Sequence, residues 1–279
     1  MRESAIRPNA ALGDFLRSRR ARLDPTEAGV VSARRRRVPG LRREELAALA
    51  GMSVDYYTRL EQGRHSAASP GVLDAIARAL HLPEADRKYL HRLAEPAPPQ
   101  GDPVPVRPET RALMRALGPT PAVLINASMD VLAMNPAGRR LYAGFDAMPP
   151  HERNSIRYML TAPGARELHG EDWTAITAEM IGILRLRTGR KPLVGGARGL
   201  VDDMTASSDL FRRVWQDQTV SLADRRRKIF HHPQAGRIEL AVESLMVQHA
   251  EGQILIVLSP EPGSAAERAW HEVMARDPM

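Results

Sequence analysis

Between Arg43 and Gly63 the chain carries side chains whose types and spacing suit hydrogen bonding to phosphates and to base edges. Arg59 offers a rigid fork of N–H donors, the shape that meets the O6 and N7 acceptors of guanine in a major groove. Asp55 stands four residues earlier. A carboxylate there either accepts from cytosine N4 or, at helical i,i+4 spacing, orients the arginine, and the common surface pairing favours the second. Val54 and Tyr56 share the outer side with them, and Ser53 supplies an oxygen able to cap a helix. Upstream, Arg34-Arg35-Arg36-Arg37 is a run that serves equally well as a solvated segment or as an arm gripping the backbone or the minor groove.

Groups of this kind read DNA only when rigid elements aim them. Leu46, Ala47 and Ala50 fall on one face of a first helix, with Ala47 small enough for a second helix to cross closely. Gly51 suits the left-handed backbone of a C-terminal cap, Ser53 begins the next helix, and that helix is predicted over about Val54 to Gln62 with Tyr57 and Leu60 inward. Gly63 stops it. Two short helices in this register form a helix-turn-helix, the alternative being an ordinary helical hairpin. Apolar spacing predicts further helices over Ala11 to Leu23, Gly71 to Leu80 and Pro83 to Ala94, five in about 85 residues.

The charge distribution points the same way. Residues 1–95 hold 18 Lys+Arg against 12 Asp+Glu, whereas the remainder holds 22 against 21, so nearly all of the net +7 lies with the helix-turn-helix. A concentrated basic field suits phosphate neutralisation. Only Lys88, Lys191 and Lys228 are lysines, so arginine enrichment also reflects base composition, and no single arginine proves a contact. The chain has no cysteine, which removes disulfides, thiolate zinc sites and a cysteine nucleophile. No metal or enzyme cofactor is expected. His231 and His232 are adjacent on a strand and point to opposite faces, and Gly195-Gly-Ala-Arg-Gly is not a phosphate loop. No nucleophile with a base can be assembled, so the chain is read as a non-enzyme. No apolar run of about 18 residues occurs and no signal segment opens the chain, so a cytoplasmic protein away from membranes is expected.

Repeated prolines between Glu95 and Pro108 mark a semi-rigid spacer. Beyond it, helices are expected over Glu109 to Leu117, Pro136 to Phe145, Asn154 to Leu160, Trp173 to Thr188 and Leu210 to Gln218. Ala122 to Ile125 and Asp130 to Asn135 read as a strand pair, and Lys228 to His232, Arg237 to Val242, Leu245 to Val247 and Gln253 to Leu258 as later strands. An antiparallel sheet with helices on one side follows, an α+β module. The expected organisation is a five-helix DNA-binding domain at 1–95, a linker at 96–108, the α+β domain at 109–262 and a tail or helix at 263–279.

Leu41 to Leu93, with Pro39-Gly-Leu-Arg-Arg-Glu-Glu-Leu-Ala and Ser53-Val-Asp-Tyr-Tyr-Thr-Arg-Leu-Glu-Gln-Gly-Arg64, resembles the Xre-type helix-turn-helix family, of lambda-repressor-like fold. The second half is similar to the MmyB-like ligand-binding domain, a PAS-like fold, at Pro121 to Asn126, Asp130 to Asn135, Glu152-Arg-Asn154, Asp172-Trp173, Phe211 to Trp215, His232-Pro233, Gly236 and Pro260 to Ser264. The resemblance implies a homodimeric DNA-binding regulator of transcription whose second domain holds a small apolar ligand such as a fatty acid. Matching the helix-turn-helix position by position puts Arg43 on phosphate and Ser53 and Arg64 near the backbone. Val54, Asp55, Tyr56 and Arg59 then face the groove, and Glu61 is a structural partner. Inward positions for the ligand are Val123, Ile125, Leu132, Met134, Phe145, Trp173, Met180, Leu184, Phe211, Trp215, Phe230 and Leu240, most of which serve as core in any case. Family landmarks add Arg153, Asn154 and His232 as donors for a carboxylate. A cofactor-holding sensor or enzyme domain fused to a DNA module, and an antitoxin-like partner-binding protein, remain the alternatives.

Overall fold

The computed structural model describes residues 9–30, 40–64, 68–95, 104–189, 196–250 and 252–276. The first domain is a cluster of five helices: α1 (Ala10–Arg22), α2 (Arg43–Leu49), α3 (Val54–Glu61), α4 (Pro70–Ala79) and α5 (Glu84–Ala94). Their apolar faces meet in one core built from Leu12, Phe15 and Leu16 of α1, Leu46 and Ala47 of α2, Tyr57 and Leu60 of α3, and residues of α4 and α5. Gly51 ends the α2 turn at φ +67°, and the Ser53 side chain accepts from the Tyr56 N–H at 3.2 Å to start α3. Pro83 is the N-cap of α5 rather than part of its first turn.

The second domain opens with α6 (Pro108–Ala116), β1 (Ala122–Ile125), β2 (Val131–Met134) and α7 (Pro136–Leu141). It continues through α8 (Ser155–Thr161), α9 (Pro163–His169), α10 (Trp173–Thr188), α11 (Gly196–Ser207) and α12 (Asp209–Gln216), then β3 (Arg227–His232), β4 (Gly236–Met246), β5 (Ile254–Ser259) and α13 (Ala265–Ala275). The five strands form one antiparallel sheet in the order β2-β1-β5-β4-β3. Two expected strands, Arg237 to Val242 and Leu245 to Val247, are one: Glu243 and Ser244 between them stay paired with Val257 and Ile256, so polar side chains do not interrupt the ladder. The helix expected to reach Phe145 ends at Leu141, and Phe145–Ala147 is a separate short turn after Gly144 at φ +82°. Helices α9 and α11 have no counterpart in the sequence reading.

Most helices cover one face of the sheet, but not all. Val123 and Ile125 face the cluster holding α10 and α12, whereas Ala122 and Leu124 alternate to the other side and pack with Met114 of α6. Helix α13 brings Trp270, 1% exposed, against Phe230, Ile238 and Leu240. The C-terminal segment, expected as a tail or a helix, is a helix over residues 265–275 that packs on the second domain's core.

The two domains touch directly. Tyr89 Oη donates to Gly189 O at 2.8 Å, and Arg92 Nη1 to Leu186 O at 3.0 Å, both just at the end of α10. Arg19 Nη2 donates to Gln218 O at 2.7 Å while also holding Asp86, and Arg185 Nη1 reaches Gln218 Oε1 at 2.9 Å. Leu186 and Val220 pack on the core of the first domain. The free carbonyls of a helix C-terminus favour cationic donors, which Arg92 supplies.

Candidate nucleic-acid interface and apolar cavity

Helix α3 buries Tyr57 and Leu60 and turns Val54, 45% exposed, together with Asp55 and Arg59 to the outside, with Tyr56 partly covered. Arg59 Nη2 lies 2.6 Å from Asp55 Oδ2, so the carboxylate orients the guanidinium as the spacing suggests. Ser53 caps the helix and Arg64 is exposed just beyond Gly63. These residues share one surface. Arg43, expected on phosphate, stays 44% exposed, and its Nε and Nη2 also donate to Glu61 Oε1 at 3.2 and 3.0 Å. The Glu61 carboxylate is wholly buried and takes Arg20 Nε and Nη2 as well, at 2.9 and 2.8 Å. Burial pushes the Glu61 carboxyl up, but the hydrogen bonds from Arg20 and Arg43 outweigh it and hold it below the usual carboxylate range. Arg34, Arg35, Arg36 and Arg37 lie outside the described residues.

In the second domain a cavity of about 470 Å³ lies between α10 and the sheet. Helix α10 contributes Ile176, Glu179, Met180, Ile183 and Arg187, spaced to share one helical face about 16 Å long at 1.5 Å rise per residue. The sheet contributes Val123 and Ile125 from β1, Val131 and Met134 from β2, and Val242, Ile256 and Leu258 from β4 and β5. Phe145, Tyr142 and, from α8, Tyr158 and Met159 close one side. Volume and lining match those of sites for small apolar molecules.

Of the ligand positions expected from sequence, Val123, Ile125, Met134, Phe145 and Met180 line this cavity. The others do not, for traceable reasons. Leu132 points to the opposite face of the sheet, into the α6 cluster, and Leu240 lies under α13. Leu184 and Phe211 fill the core behind α10, and Trp215 stacks on Phe211 at 5.5 Å beneath the Arg185 guanidinium. Trp173 spends its Nε1–H on Met159 O at 2.8 Å, and Phe230 packs edge-on against Tyr142. Arg153 is tied to Met148 O and Asp146 O at 3.2 and 3.0 Å. Asn154 caps α8 and binds Ser128 O at 2.8 Å, a structural clamp on the strand pair. His232 accepts from the Gln234 and Ala235 N–H groups at 3.2 Å and faces Trp270 edge-on, while His231 is exposed across the strand.

Sequence reasoning missed the cavity's polar lining. His169, Glu179, Arg187, Arg225 and Lys228 all face it, and none lies in a recognisable motif. Glu179 accepts from Arg225 Nε at 2.8 Å. The Arg187 guanidinium is pushed down to about 10 by burial, with the positive charge of Arg92 adding to the effect. Among the described residues no group of three His, Cys, Asp or Glu could hold a metal ion, and no helix is long and apolar enough to cross a membrane.

A family model described as the MmyB-like transcription regulator ligand binding domain matches residues 106–273. A second, described as a helix-turn-helix domain, matches residues 11–90. No curated protein matches the chain.

Proposed function

The chain belongs to the MmyB-like transcription regulator family and carries a helix-turn-helix domain, and from that premise we propose that it is a homodimeric, cytoplasmic regulator whose DNA affinity is set by a fatty-acid-like ligand. The observation that carries the proposal is the double duty of α10. Ile176, Met180 and Ile183 form a wall of the cavity, while the carbonyls of Leu186 and Gly189 hold Arg92 and Tyr89 of the DNA-binding domain. A ligand that shifts α10 against the sheet therefore acts on the docking of the DNA-binding domain through α5, provided it binds one arrangement better than the other.

On the DNA side, α3 enters the major groove with Arg59 as the base-reading residue and Ser53 and Arg64 at its phosphate edges. Two copies reading successive half-sites about 34 Å apart require a dimer. The apolar lining along α10 fits an extended acyl chain better than a compact polar metabolite. Mass spectrometry of small molecules extracted from the purified full chain, coupled to gel shifts on fragments tiled across its own locus, tests this. The expected result is a co-purifying acyl compound and a shift that depends on it. Absence of any shift at low salt sinks the regulator reading, and a co-purifying hydrophilic compound sinks the fatty-acid reading.

A further inference from the structure

Acyl chains need only an apolar wall, yet one end of this cavity carries polar groups that the protein leaves unsatisfied. His169, the last residue of α9, is 3% exposed and lines the cavity, and neither ring nitrogen has a hydrogen-bond partner among the described residues. Such an orphaned group is destabilising unless something else completes it. Burial, with the charge of Lys228 adding to it, pushes the imidazole down to about 4, so at neutral pH it is uncharged and offers one N–H donor.

Lys228 lies on β3 two residues before Phe230, hence on the same face, and the Phe230 ring is 5.1 Å from that of His169. Lys228 also lines the cavity, and no carboxylate among the described residues forms an ion pair with it; burial pushes its ammonium down, with Glu179 opposing, so an anionic ligand would favour its charged form. Glu179 is the nearby acid, but it is engaged by Arg225 at 2.8 Å.

We propose that Lys228 and His169 form the head-group subsite of this cavity, receiving the carboxylate of a long-chain monocarboxylic acid whose tail runs along Ile176, Met180 and Ile183. This rests on the acyl-ligand reading above and adds the ligand's charge, its direction and the residues that select it. Charge-assisted donation from Lys228 supplies most of the selection and the His169 N–H fixes the carboxylate's orientation.

The test is calorimetric titration of the full chain with dodecanoate and with dodecan-1-ol, which share a tail and differ in the head group. The wild-type protein is expected to bind dodecanoate roughly ten- to a hundredfold more tightly, as expected for a hydrogen bond to a charged group. Lys228→Met should remove that preference while keeping dodecan-1-ol binding, and His169→Leu should reduce it roughly two- to tenfold. The second variant stands in if the first does not fold. Equal wild-type affinity for acid and alcohol overturns the head-group subsite but leaves the acyl-ligand reading standing. A preference that survives both variants and disappears in Arg187→Met also overturns it, moving the head group to the other end of α10. Binding of neither probe removes the acyl-ligand reading and the subsite with it.

Discussion

Arg59 and Asp55 are both well exposed, so their 2.6 Å pair adds little stability, on the order of 0–1 kcal/mol. Its use is positional: the guanidinium is held in one orientation before it meets a base. Arg59→Ala is therefore expected to relax preference at one base position by about 1–3 kcal/mol across a panel of single-substituted operators, whereas equal weakening on every sequence would make Arg59 a phosphate contact. This pair was legible because i,i+4 spacing is written in the chain. The Arg43–Glu61 contact was not, since it joins α2 to the end of α3 and exists only after the helices cross. His169 gives a second residue-scale expectation. Its pKa falls from 6.5 in the unfolded chain to about 4 in the fold, so the unfolded state binds more protons between those values. The ligand-free protein should lose about 3 kcal/mol from this group as pH falls, beginning near 6.5 and complete near 4, and His169→Leu should lack that component in urea unfolding across the range. The basic run Arg225-Arg-Arg-Lys228 stands out in the sequence, but nothing there pairs Lys228 with His169, because their proximity requires α9 to lie on β3.

Helix α10 shows why elements were easier to read than sites. Its bounds, Trp173–Thr188, coincide with the apolar pattern in the sequence, whereas α9 and α11 are short or open on glycine and leave little periodicity to read. Strand β4 was divided in two because Glu243 and Ser244 look like a turn when only side chains are considered, although their backbones remain in the ladder. Which residues of α10 meet the cavity depended on what crosses its other faces. Gly182 is one such crossing: a Cβ there would lie 2.8 Å from the Ser221 backbone nitrogen. Gly182→Ala should force the 219–226 segment, which carries Arg225 and Arg226, away from α10. We expect a loss of about 1–3 kcal/mol in urea unfolding and weaker dodecanoate binding. Unchanged values for both would show that the segment does not fix the cavity.

Across the molecule, the proline-rich boundary suggested two domains separated by a spacer, yet they share a polar interface. Residues 96–103 lie outside the described set, but the contacts between Tyr89, Arg92 and Arg19 on one side and Gly189, Leu186 and Gln218 on the other stand independently of them. No motif announces this docking, since backbone carbonyls at the ends of α10 and α12 accept its bonds. Gly189 leaves no room for a side chain at this docking: a Cβ would lie 2.2 Å from Tyr89 Oη. The same Cβ would lie 2.4 Å from Arg185 O, so Gly189→Ala should displace Tyr89 and the last turn of α10 and loosen the docking, seen as a larger radius of gyration in small-angle scattering. The most direct measurement is the anisotropy-derived affinity of the full chain for a gel-shift-selected operator, with and without saturating dodecanoate, in wild type and in Gly189→Ala. Coupling through α10 requires the ligand to change wild-type affinity roughly 5- to 150-fold and to leave the Gly189→Ala affinity unchanged. A wild-type affinity that is the same with dodecanoate demonstrably bound, or a full ligand response in Gly189→Ala, would contradict it.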